Sequence, residues 1–129
     1  MRGQQTEAWK RIVPALLVVV ALGWVRASEP KASEATVHGY VLDSACAFTK
    51  GLAKPISADC ATACAKAGSP LVLLSDDGLI YWPIAGTTPA SGQNDKLMPF
   101  AGKKVTAKGK VYERGGSRAL VIASIEAAK

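Results

Sequence analysis

The sequence predicts a mainly β domain, folded as a small barrel of five strands with a short helical insertion after the first strand and a short helix before the fourth. Three observations support this prediction. Apolar and polar residues alternate over several stretches of strand length. Turn residues separate these stretches. One helical segment with clear start and stop signals interrupts the strands.

The first predicted strand is 36–43, TVHGYVLD, which alternates and carries Gly39 at its middle. A glycine inside a strand suggests a bulge or a bend. The insertion follows as a loop at 44–56 and a helix over roughly 58–67. Ser57 is a good N-cap for this helix, and a glycine directly after it is a typical stop.

The remaining strands follow in two pairs. LVLLS and LIYWPI flank the Asp-Asp-Gly turn at 76–78 and predict a hairpin. Residues 94–102 can form about one helical turn. Two more strands are expected on either side of 114–117, and ALVIASI at 119–125 is so apolar that we expect it to be buried or central. A short helix between the third and fourth of five strands is the order of an OB-type barrel.

Three segments carry a resemblance to known proteins: GYVLDSAC (39–46), CATACAKAGSPLVLLSDDGLIY (60–81) and FAGKKVTAKGKVYERGG (100–116). With them the chain resembles a group of small exported bacterial proteins of largely unassigned function. These proteins pair an OB-like core with a cysteine-bearing insertion after the first strand, here with the spacing C-x13-C-x3-C. The resemblance implies the fold and leaves the activity open.

Residues 1–27 have the layout of a secretory signal peptide. Basic residues precede an uncharged apolar run at 12–25, and we predict cleavage after Ala27. That run is shorter than the roughly 20 apolar residues of a membrane-spanning helix, although an uncleaved anchor is the alternative. We therefore expect a periplasmic or secreted protein, with 28–35 as a flexible tether and 36–129 as the domain.

The positive net charge of the chain is only weak evidence for an anionic partner such as nucleic acid. Four basic residues and one acidic residue lie within the predicted signal peptide, so its removal lowers the net charge from +6 to about +3. A basic, aromatic strand face is still present, and OB folds can bind oligonucleotides on such faces. Because export argues against nucleic acid, we expect an envelope protein or an anionic polymer as partner. The predicted binding face consists of Tyr40, Lys108, Lys110 and Tyr112.

The concentrated chemistry of the sequence lies in its three cysteines, Cys46, Cys60 and Cys64. Residues four apart on a helix are neighbours on one face, and soft thiolates favour copper or zinc. The three cysteines could therefore hold such an ion, with His38 or Met98 as a fourth ligand.

Two other uses of the cysteines are open. Cys46 could form a disulfide with Cys60 or Cys64, closing a loop of about 14–18 residues and stabilising the domain by roughly 3 kcal/mol. Alternatively, Cys60 lies near a helix N-terminus, which favours a reactive thiolate. Asp43 is expected to cap the loop after the first strand. Motifs of serine hydrolases, zinc proteases and phosphate loops do not occur.

The sequence thus favours an exported, non-enzymatic binding protein that binds copper or zinc through its cysteines. A disulfide-stapled module that binds a protein or polymer is the first alternative. A thiol redox protein is the second.

Overall fold

Five strands close into a barrel in the computed structural model, which describes residues 30–53 and 56–129. The order around the barrel is β1-β2-β3-β5-β4, with β4 hydrogen-bonded back to β1. β3 and β5 are parallel, and the other neighbours are antiparallel. This arrangement confirms the predicted five-stranded, OB-like barrel. The strands are β1 (Lys31–Asp43), β2 (Leu71–Ser75), β3 (Ile80–Pro83), β4 (Lys104–Arg114) and β5 (Ser117–Ala127).

Short helices lie at the two positions that the sequence predicts. The insertion between β1 and β2 contains α1 (Ser44–Thr49) and α2 (Ala58–Lys66). The connection between β3 and β4 contains α3 (Asn94–Leu97), followed by a 3-10 turn (Met98–Phe100). No helix in 30–53 or 56–129 is long and apolar enough to cross a membrane. The predicted signal peptide and its cleavage point lie outside the described residues.

The barrel interior is filled by the inward-facing residues of the alternating strands. Val105, Ala107 and Val111 of β4 are buried, as are Leu120 and Ile122 of β5. The apolar side chains of β4 thus face the barrel interior, as its alternating sequence predicts, and its basic side chains lie on the outer face. β5 lies between β3 and β4, as every strand of a closed barrel lies between two others. Within the segment 119–125, Leu120 and Ile122 are buried, whereas Ala123 and Ser124 are exposed, so the predicted burial holds only in part.

A second apolar cluster lies outside the barrel, beneath the helical insertion. It contains Leu42 of β1, Val72 and Leu74 of β2, and Ala47 of α1. Every residue of β2 is buried, because its inward side chains fill the barrel and its outward side chains pack in this second cluster. The insertion is therefore packed on the barrel wall, and this packing positions the cysteines.

The structure changes three boundaries that the sequence predicts. Residues 31–35, expected in the tether, extend β1 and pair with β4 from Lys31 opposite Glu113 onwards. The side chains of 31–34 are exposed and show no apolar alternation, and pairing through the backbone alone leaves no pattern in the sequence. Residues 44–49, expected as loop, form α1. β5 is longer at both ends than 119–125 because it pairs along the full length of β4.

Gly39 lies at a close approach between strands rather than at a bulge. It pairs with Ser75 of β2 on one side and Val105 of β4 on the other. A Cβ at this position would overlap the backbone of Leu74 and come within 2.6 Å of the Ser75 Cα. The irregularity in register lies instead in β4, between Lys108 and Gly109.

Candidate functional site

Helix α2 carries two of the three cysteines. Its start is fixed by Ser57, whose Oγ accepts the backbone N–H of Cys60 at 3.2 Å. Ala61 and Ala65 form the buried side of the helix. Cys60 is exposed and Cys64 is half-buried, so the two thiols share a face beside the buried alanines, as their spacing predicts.

The third cysteine lies in the first turn of α1, directly after β1. Asp43 caps this helix, because its Oδ1 accepts the backbone N–H of Cys46 at 2.9 Å. The backbone N–H of Ser44 donates to the carbonyl of Pro70 at 2.9 Å, which ties the strand end to the start of β2. The half-buried Cys46 is thus held at a fixed point on the barrel wall.

A cleft of about 110 Å³ lies between α1 and α2. Cys46 and Cys60 both line this cleft, so residues fourteen positions apart in the sequence reach one site. Lys50 adds a basic side chain, and the walls are otherwise mainly apolar. The full lining is Leu42, Asp43, Cys46, Lys50, Gly51, Ile56, Ser57, Cys60 and Ala61.

Asp43 also lines this cleft, and the sequence did not predict it as a metal ligand. Its side chain is only 3% exposed. Its Oδ2 is buried and has no hydrogen-bond partner within the described residues. Burial acts to raise the pKa of this carboxyl, but hydrogen bonding by Ser69 and Cys46 outweighs it and holds the pKa below its usual value. The cleft is therefore lined by a buried carboxylate that is charged at neutral pH.

Cys64 is electrostatically linked to the other groups of the site. Burial raises the pKa of its thiol, and the neighbouring Cys60, Asp43 and Cys46 raise it further. The three sulfurs and the carboxylate therefore lie within electrostatic reach of one another. A raised thiol pKa is the opposite of what a reactive redox cysteine needs, so Cys64 does not suit the redox alternative.

We predict that Cys64 of the metal-free, reduced protein is alkylated only at a higher pH than an ordinary thiol. The thiolate is the reacting form, and the raised pKa keeps Cys64 protonated at neutral pH. The measurement is the rate of reaction with iodoacetamide against pH, read for each cysteine by peptide mass spectrometry. The protein unfolded in urea is the control, in which Cys64 should react as an ordinary thiol. A folded-state midpoint at or below the urea value would contradict the prediction.

The three thiols are free, and no disulfide joins them. The bridge predicted as an alternative, from Cys46 to Cys60 or Cys64, is therefore not seen. In residues 30–53 and 56–129, no group of three or more His, Cys, Asp or Glu side chains is close enough to hold a metal ion as it stands.

The structure does not bring the other two predicted ligands to the cysteines. His38 is exposed, and its Nδ1 lies 3.1 Å from Thr106 Oγ1 on β4. It precedes Asp43 by five residues of extended strand, about 16 Å along β1. Met98 follows α3 directly, is partly buried and packs against the barrel core. His38 therefore belongs to the outer sheet face, and Met98 to the core.

The predicted binding face lies on the outer surface of β1 and β4, but its residues do not form one patch. Lys108, Lys110 and Tyr112 follow one another along β4, and the Lys110 Nζ lies 5.7 Å from the centre of the Tyr112 ring. Tyr40 lies at the other end of the pairing, opposite Lys104. Acidic Glu34 is the partner of Lys110 on β1, so the face is mixed in charge.

Comparison of the chain with protein-family models, with curated proteins and with solved structures finds no match. The resemblance to small exported OB-like proteins stays a prediction, and the arrangement of the site itself is the basis for assigning a function.

Proposed function

We propose that this protein is an exported, non-enzymatic binding protein whose α1–α2 cleft binds a soft metal ion, zinc or copper, through Cys46, Cys60 and Cys64. One observation carries the proposal: two unbonded thiols from separate helices, Cys46 and Cys60, line one cleft beside a buried carboxylate. The third thiol, Cys64, lies one helical turn from Cys60. Thiolates are the ligands that zinc and Cu(I) prefer.

Binding requires the sulfurs to converge from their present positions. Cys60 and Cys64 are one helical turn apart, about 5–6 Å at Cβ, and their exposed and half-buried side chains have room to turn towards a shared ion. Cys46 lines the same cleft as Cys60. A change of side-chain rotamers around the ion is therefore the smallest movement that the proposal needs.

Metal binding at this site should depend on pH. Each thiol must lose its proton to become a ligand. The raised pKa of Cys64 means that this proton is held more firmly than in an ordinary cysteine. The apparent metal affinity should consequently rise with pH through the neutral range and fall in acid.

We expect Cys60→Ser and Cys64→Ser each to abolish stoichiometric zinc and Cu(I) uptake while leaving the barrel folded. Both residues are exposed or half-buried, and the barrel core does not contain them. The measurement is native mass spectrometry of the reduced protein after addition of each metal, with circular dichroism to follow the fold.

Ala63→Ser is the matched control, because it introduces a serine side chain at an exposed position of the same helix. It should bind metal like the parent protein. Stoichiometric metal in both cysteine variants would contradict the proposal. A parent mass lower by two hydrogens, with one thiol left to alkylate after denaturation without reductant, would support the disulfide-stapled module instead.

A further inference from the structure

Asp43 combines deep burial with an unsatisfied carboxylate oxygen, and it lines the same cleft as two of the thiols. Its Oδ1 accepts the backbone N–H of Cys46 as the cap of α1, and the Ser69 side chain lies near enough to help lower the pKa of the carboxyl. Its Oδ2 is buried without a hydrogen-bond partner among the described residues. A buried polar atom in this condition costs free energy, so a cation in the cleft would gain a carboxylate oxygen that no hydrogen bond among the described residues occupies.

The position of Asp43 is fixed before any ion binds. Asp43 is the last residue of β1, and its backbone pairs with Leu71 of β2. Its side chain is oriented by the bond to the Cys46 amide. The carboxylate is thus preorganised next to Cys46, whereas the thiols of α2 lie on a more exposed surface.

A positive charge is the partner that suits this oxygen. The ion pairs formed within 30–53 and 56–129 are Lys104–Asp76 and Arg118–Glu113, and neither includes Asp43. Lys50 lines the cleft, and neither of these two ion pairs includes it. No ion pair among the described residues includes this buried carboxylate, and a cation bound in the cleft would be its ionic partner.

We propose that Asp43 is the fourth ligand of the cysteine site, through Oδ2, and that this oxygen makes the site select zinc-like divalent ions over Cu(I). This inference rests on the proposed function of the same cleft. Zinc takes four ligands in a tetrahedron and accepts carboxylate oxygen together with sulfur. Cu(I) is served by soft thiolate and thioether donors, so the oxygen adds to zinc binding and adds little to Cu(I) binding.

The charge of the ligand set favours the same ion. Three thiolates and one carboxylate bring four negative charges to the cleft, with Lys50 as a nearby positive charge. A divalent ion neutralises more of this charge than a monovalent ion does. The difference matters here because the carboxylate is removed from solvent.

The test is the Asp43→Asn variant, which keeps an oxygen for the cap of α1 and removes the charge. We expect its zinc affinity to fall at least about tenfold, since even groups that only support a ligand are worth 10–100-fold. Its Cu(I) affinity should change less than about threefold, since soft sulfur donors carry the binding of that ion. Affinities are read by competition with chromophoric chelators for zinc sulfate and for Cu(I), under reducing, oxygen-free conditions.

Asp59→Asn is the matched control. Asp59 is exposed, lies next to Cys60 and is not part of the cleft lining. It removes the same charge from the same region, and screening by solvent and salt should limit its effect on zinc affinity to less than about twofold. An equal loss of zinc and Cu(I) affinity in Asp43→Asn would overturn the inference, because it would mean that Asp43 only positions Cys46. Unchanged zinc affinity would overturn it as well.

X-ray absorption of the zinc-loaded parent protein tests the same point without a variant. We expect three sulfur neighbours at about 2.3 Å and one oxygen at about 2.0–2.2 Å. A shell of sulfur without an oxygen neighbour would overturn the inference and leave the proposed function intact. A parent protein that binds neither metal would instead refute the proposed function, and with it this inference.

Discussion

Replacement of Gly102 by alanine should lower the free energy of unfolding by about 2–5 kcal/mol and weaken metal binding at the cleft. Gly102 has a φ of 72°, which costs roughly 1–2 kcal/mol for a residue with a Cβ. That Cβ would also come within 2.7 Å of the Ala58 nitrogen and 3.0 Å of the Ser57 carbonyl carbon. Overlap of this kind usually costs about 1–3 kcal/mol.

The effect should reach the metal because Gly102 joins the barrel to the start of α2. Its backbone N–H donates to the Val41 carbonyl of β1 at 2.7 Å. The backbone that its Cβ would strike is the N-cap and first residue of α2. Since Gly102 is fixed to β1, we expect α2 to move away, carrying Cys60 from the cleft.

Gly68→Ala separates the two contributions. Gly68 also has a positive φ, 98°, but a Cβ there would have no other atom within 4 Å. It should cost only about 1–2 kcal/mol and leave zinc affinity unchanged. Both variants are compared by urea unfolding followed by circular dichroism. If Gly102→Ala costs no more than Gly68→Ala, the contact with α2 does not hold the helix in place.

The barrel could be predicted from the sequence because its elements have strong local signals. β4 alternates cleanly, β2 is a short apolar run bounded by turns, and α2 has a cap and a glycine stop. These patterns depend on which side chains face the core. The start of β1 has no such signal, because Lys31 to Glu34 are exposed on both faces and are held by backbone hydrogen bonds to β4.

The site could be predicted only in part, for a related reason. The pairing of Cys60 with Cys64 is local and follows from helix geometry. The position of Cys46 near Cys60 depends on how the insertion packs on the barrel wall, which no local pattern encodes. The sequence predicts that Asp43 caps the segment after β1, and its Oδ1 does so. It does not predict that Oδ2 of the same carboxylate is buried without a partner, because that depends on the packing around the cleft. The proposal that Asp43 is a ligand therefore needed the structure.

Zinc should stabilise the folded protein strongly. At a free zinc concentration about 1,000 times the dissociation constant, binding to the native state alone raises the free energy of unfolding by about 4 kcal/mol. For a domain of this size the melting temperature should rise by more than about 10 °C. The measurement is thermal unfolding followed by circular dichroism, with and without zinc, in the presence of reductant.

Two controls test whether the rise in melting temperature comes from zinc bound at the cysteine site. Excess chelator should return the melting temperature of the parent protein to its metal-free value. Cys64→Ser should show little response to zinc, whereas Ala63→Ser should respond like the parent. A parent protein that binds zinc stoichiometrically without a rise in melting temperature would contradict the prediction, since it would mean that the unfolded chain binds the ion equally well.

The positions of the proposed ligands explain why zinc should raise the melting temperature and which part of the fold it should stabilise. Asp43 is the last residue of β1 and Cys46 lies in the first turn of α1, while Cys60 and Cys64 lie on α2, beyond the connecting segment 50–57. An ion shared by these groups would tie the insertion to the barrel wall, as a disulfide does in small exported domains. In the unfolded chain the same groups are separated by flexible backbone, so gathering them costs conformational entropy. The insertion should consequently be the part of the fold that zinc protects most, and amide hydrogen exchange should slow most in α1 and α2.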